Sequence, residues 1–185
     1  MKLSTLSILL GLGMGSVQAY GLMKPAAFVA AARKFPRSLP LGYALMLVGT
    51  AWFLWYLDQE AASDFLAYKK VLLAGFAFIG VATCIFVKDF LAVRGLAVVL
   101  LLLAKLMVDT GRPGLPQTPW VLVIQAWGYV LVVAGIWLTV SPWRLRDFVV
   151  WGTATEQRIK VGCGLRLAFG LFIAALGLTI FRSVT

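Results

Sequence analysis

Six apolar runs, each close to twenty residues long and separated by short basic connections, constrain this chain more than any other feature. An α-helix needs about 20 residues to cross about 30 Å of hydrocarbon, and it satisfies every backbone N–H and C=O within the crossing segment. Strands of a membrane β-barrel would instead alternate apolar and polar residues over about ten positions. The runs do not alternate, so the expected fold is an all-α integral membrane protein of about six transmembrane helices. A mean hydropathy of +0.94 and a hydrophobic content of 62% fit that class and exceed the roughly half-apolar composition of soluble domains.

The pattern predicts spans at residues 3–23, 39–57, 71–87, 90–108, 120–140 and 161–181 of a single transmembrane domain covering 1–185. Thr118-Pro119 offers a cap hydroxyl followed by proline at the first helical position. Thr153-Ala-Thr-Glu156 fits a capping box, so the sixth helix is expected to start before it enters the membrane. Two connections read as short amphipathic helices lying in the cytoplasmic headgroups. The first follows Lys24-Pro25 and carries Phe28, Arg33, Lys34 and Phe35; the second follows Ser141-Pro142 and carries Leu145, Phe148 and Val149 at helical spacing.

Charge sets the orientation. Lys2, an apolar stretch and Ser-Val-Gln-Ala19 also fit a secretory leader, but cleavage at Ala19 would leave Lys24, Arg33, Lys34 and Arg37 outside, against the positive-inside tendency. A retained first span puts eleven of the seventeen basic residues on one side: Lys24, Arg33, Lys34, Arg37, Lys88, Arg94, Arg144, Arg146, Arg158, Lys160 and Arg166. The expected location is therefore a bacterial cytoplasmic (inner) membrane, with the basic face inside and both termini outside. Trp52, Trp55, Tyr56, Trp120 and Trp143 sit at run ends, as an interfacial aromatic belt requires. Trp127 and Trp137 lie deeper and read as packing side chains rather than cofactor platforms.

Glycines recur seven residues apart in three spans, as Gly42 with Gly49, Gly128 with Gly135, and Gly170 with Gly177. Seven residues is nearly two helical turns, so each pair forms a smooth stripe against which another backbone packs closely. Spans one and two flank a basic segment opened by Pro25, and spans five and six flank one opened by Pro142. This parallel suggests a hairpin repeat (3–57, 71–108, 120–181), although shared apolar composition is the preferred explanation.

The net charge of +10 is distributed through short connections, which points to anionic membrane lipids as the counter-charge rather than to nucleic acid. Histidine is absent, and Cys84 and Cys163 have no metal-ligand spacing, so no cofactor or metal site is expected. The two thiols fall at similar depth and read as small buried side chains. No phosphate loop or nucleophile elbow occurs, and no catalytic residue is assigned.

All seven acids lie at span ends or in connections, with Asp58, Glu60 and Asp64 clustered in one of them as a solvated group. Three basic residues do enter the spans: Arg94, Lys105 and Arg166. Charge is costly there, so these are the expected contacts for an anion or a lipid headgroup unless they snorkel or pair. Asp89 is a sequence-local partner for Arg94 and Asp109 for Lys105, whereas Arg166 has none.

From Pro142 to Gly170 the order of proline, tryptophan-arginine, arginine and glycine-rich span resembles small two-helix bacterial membrane proteins. That group has no assigned activity, so the resemblance implies none. Abundant packing chemistry without a reactive set leads to the expectation of a non-enzymatic accessory or scaffold subunit that contacts other membrane subunits or copies of itself. The alternative is a small transporter or channel for an anionic solute.

Overall fold

The computed structural model describes residues 1–59 and 68–183. Among these the chain forms α-helices and short 3-10 turns without a strand: α1 (Leu3–Met23), α2 (Pro25–Lys34), α3 (Leu39–Gln59), α4 (Lys69–Phe86), α5 (Leu91–Gly111), α6 (Val121–Val140), α7 (Trp143–Gly152) and α8 (Glu156–Leu178). Six of them, all but α2 and α7, are long and apolar enough to cross a bilayer. The protein is an all-α, multi-pass membrane protein.

Local chemistry explains the boundaries. α1 stops at Lys24 because the residue before a proline is pushed out of the helical region, and Pro25 then opens α2 at the one helical position where a missing N–H costs nothing. Between α4 and α5 the chain reverses within four residues, and Phe90 takes the left-handed conformation at φ 54°. α8 does begin ahead of its apolar stretch, but its cap is Thr155 rather than Thr153. The Thr155 hydroxyl accepts from the Arg158 N–H at 3.3 Å, whereas the Thr153 hydroxyl donates back to the Val149 carbonyl at 2.8 Å. Thr153 belongs to the end of α7, which is why the capping box fails.

The helices group into two compact units, with α5 and α6 contributing residues to both. The first unit comprises 1–33, 103–131 and 146–185. Its main feature is the antiparallel pair α1–α8, in which Gly170 lies against the backbone of Gly11 and Gly15, and Gly177 against Ser4 and Ile8. Without side chains in the way, the two backbones come together and gain dispersion contacts, the main attraction available between helices in lipid. Leu3, Leu6, Met107, Ile124, Ile173 and Phe181 fill the core. Trp127 meets Phe169 edge-on at 5.3 Å, the packing role expected for it. Gln125 donates to the Val108 carbonyl at 3.1 Å, which satisfies a buried amide.

The second unit comprises 34–102 and 132–145. Here α3 packs on α4 through Gly80, which faces Thr50, and on α5 through Gly42 and Gly49, which face Leu91 and Val98. Met46, Cys84 and Leu91 form one small core, and Val93, Ala97 and Leu138 another. Gly135 sits against Leu101, as its stripe requires.

Candidate functional site

The three basic residues singled out from the sequence have different fates. Lys105 pairs with Asp109 at 2.6 Å across one helical turn, as its spacing predicts. Arg94 does not pair with Asp89: among the described residues it has no ion pair, and its enclosed Nε has no hydrogen-bond partner. Asp89 lies in the turn ahead of α5, and the left-handed Phe90 stands between it and the helix that carries Arg94. Arg166 is exposed, and among the described residues it has neither an ion pair nor a hydrogen bond.

Arg166 lines a half-open cavity of about 510 Å³ within the first unit, built by α2, α7 and the first three turns of α8. Beside the cavity α2 and α7 are tied together. The Arg33 guanidinium reaches from the end of α2 to the end of α7, where Nε donates to the Thr153 hydroxyl and Nη2 to the Thr153 carbonyl, each at 3.0 Å. Two parallel charge-assisted bonds fix direction as well as distance. Thr153 is thus oriented from both sides, by Arg33 and by Val149.

Arg158 forms part of the same wall. Its guanidinium lies 5.0 Å over the Trp151 ring and donates through Nη1 to the Trp151 carbonyl at 3.2 Å. The stacking places the group over the ring, the hydrogen bond uses one of its five N–H donors, and the rest remain available. Phe28, Phe148 and Ile159 supply apolar lining, and the lining residues include no carboxylate. Two neighbouring basic residues outside the lining are paired, Lys160 with Glu156 at 2.7 Å and Arg146 with Asp147 at 2.9 Å.

Cys163 also lines the cavity and packs where Gly21 leaves room for it and for Phe28. Cys84 belongs to the second unit's core, and both thiols are free and buried. Glu60 and Asp64 lie outside the described residues. Asp58 of the same acidic cluster pairs with Lys69 at 3.2 Å.

Sequence reasoning found Arg166 but missed Arg158, Trp151 and the Arg33–Thr153 tie. A usable signal was present: positions 158, 162 and 166 are four apart, so Arg158, Gly162 and Arg166 fall near one face of a helix. The tie had no local signal, because its partners are 120 residues apart. No known family, curated protein or solved structure matches the chain.

Proposed function

We propose that this protein is a non-enzymatic accessory or scaffold subunit of a bacterial cytoplasmic-membrane assembly, with its basic face inside and both termini outside. The observation that carries this reading is the Arg33–Thr153 tie, which makes one platform of two surface helices from opposite ends of the chain. A platform fixed in this way offers a partner a preformed surface and lowers the ordering cost of association. The charge bias of the connections supports the orientation.

Purification from native membranes after gentle extraction is expected to recover a stoichiometric membrane partner, and Arg33→Ala to recover less of it. A chain that purifies alone, with Arg33→Ala indistinguishable, overturns the reading. Reporter domains fused to either terminus are expected to be active only outside the cytoplasmic membrane.

A second reading, a transporter or channel for an anionic solute, draws on the placement of Arg158 and Arg166 in one cavity. It requires anion flux in proteoliposomes that Arg166→Ala abolishes without loss of folding. Absence of flux for small anions would remove it.

A further inference from the structure

The cavity of the first unit has its polar and apolar elements in a graded order. Thr153, Thr155 and Gln157 stand at the α7–α8 connection, Arg158 follows on its Trp151 platform, and Arg166 lies about 12 Å further along the α8 axis. Gly162, between the two arginines, has nothing within 4 Å of where a side chain would start, so the floor stays open. Phe28, Phe148 and Ile159 provide the apolar surface beside this track.

We infer that the cavity is a binding site for one anionic phospholipid, with its phosphate at Arg166, the rest of its headgroup along the track toward Arg158 and the start of an acyl chain along the apolar lining. The charge is complementary, because two cations face the cavity and no acid does. Arg166 is exposed in the cavity and has no partner among the described residues, so its donors are free for a lipid phosphate. A small soluble anion would leave the aromatic lining unused, whereas glycerol and methylene groups bury it. Arg33 contributes by holding the roof in place, since its Nε and Nη2 are engaged by Thr153. The inference goes beyond a scaffold role and holds with or without a protein partner.

Native mass spectrometry of the full-length protein, delipidated in a neutral detergent and titrated with phosphatidylglycerol, phosphatidylcholine or inorganic phosphate, tests it. One phosphatidylglycerol is expected to bind in preference to phosphatidylcholine. Arg166→Gln should weaken that binding about tenfold, the effect of losing a charge-assisted contact, and Arg158→Gln should weaken it by a similar factor. Arg146→Gln removes an equal charge from outside the lining and should change nothing, which separates the site from general attraction to a basic protein. Circular dichroism shows whether each variant keeps its helices, and Arg166→Lys provides a charge-retaining variant that should keep part of the affinity. Equal binding by Arg166→Gln and wild type, equal binding of the two lipids, or displacement of phosphatidylglycerol by millimolar phosphate each overturns the inference, the last in favour of a soluble anion.

Discussion

The α1–α8 pair and the α3–α4 pair are both joined at glycines, yet the contacts differ in kind. At Gly11 a side chain would run into the Gly170 carbonyl and lie 2.6 Å from the Ala174 amide, so backbone meets backbone. At Gly80 it would run into both branches of the Thr50 side chain and lie 3.0 Å from its Cβ, so backbone meets a stiff β-branched side chain. The first contact can be relieved only by moving a helix, whereas the second can be relieved by shortening one side chain. Lipid tails are as apolar as the helices, so close fit decides which pairs persist, and the rigid fit should carry more stability.

The largest expected effect follows from that difference. Gly11→Leu or Gly170→Leu wedges a branched side chain between backbones that have no room for it, at a cost of about 3 kcal/mol or more, the upper range for overpacking. Thermal unfolding in detergent should show a large fall in midpoint, and retention of the wild-type midpoint would remove the rigid-contact interpretation. Gly80→Ala should cost about 1–3 kcal/mol, because the branches of Thr50 stand where the new methyl would lie. Adding Thr50→Ala should recover most of it, and a double-mutant cycle without coupling would show that the two residues do not touch. At the smallest end, Gly75 on α4 has open space around it, so Gly75→Ala should stay within about 0.5 kcal/mol of wild type in detergent. Should the same change reduce recovery of a partner from native membranes, the exposed face of α4 would be a docking surface.

Much of the fold was legible in the sequence. The first span is predicted and observed at the same residues, and α2 and α7 form where Pro25 and Pro142 place them. Five of the six stripe glycines, Gly42, Gly49, Gly135, Gly170 and Gly177, have a neighbour closer than an ordinary side chain tolerates, whereas Gly128 meets Val108 at normal contact distance. The site was less legible. Lys105 was resolved by its i,i+4 acid, but Arg94 was assigned a partner from proximity in sequence, which ignores the turn between them. Thr153 was taken for a cap because its motif was right, whereas its true role is to receive Arg33 from α2.

Apolar length and turn chemistry are local properties, and for that reason the sequence by itself determined six long apolar helices, two short connecting helices and most of their ends. Which helix lies on which is a different question, because a membrane helix is apolar on every side and hydrophobic pattern then carries no direction. Only the tertiary structure decided that α1 lies along α8, that Gly11 meets Gly170, and that Arg33 reaches Thr153. Those contacts depend on surface shape and on donors finding acceptors over long chain separations. By the same means Arg166, an isolated basic residue in the sequence, becomes one wall of a cavity that it shares with Arg158.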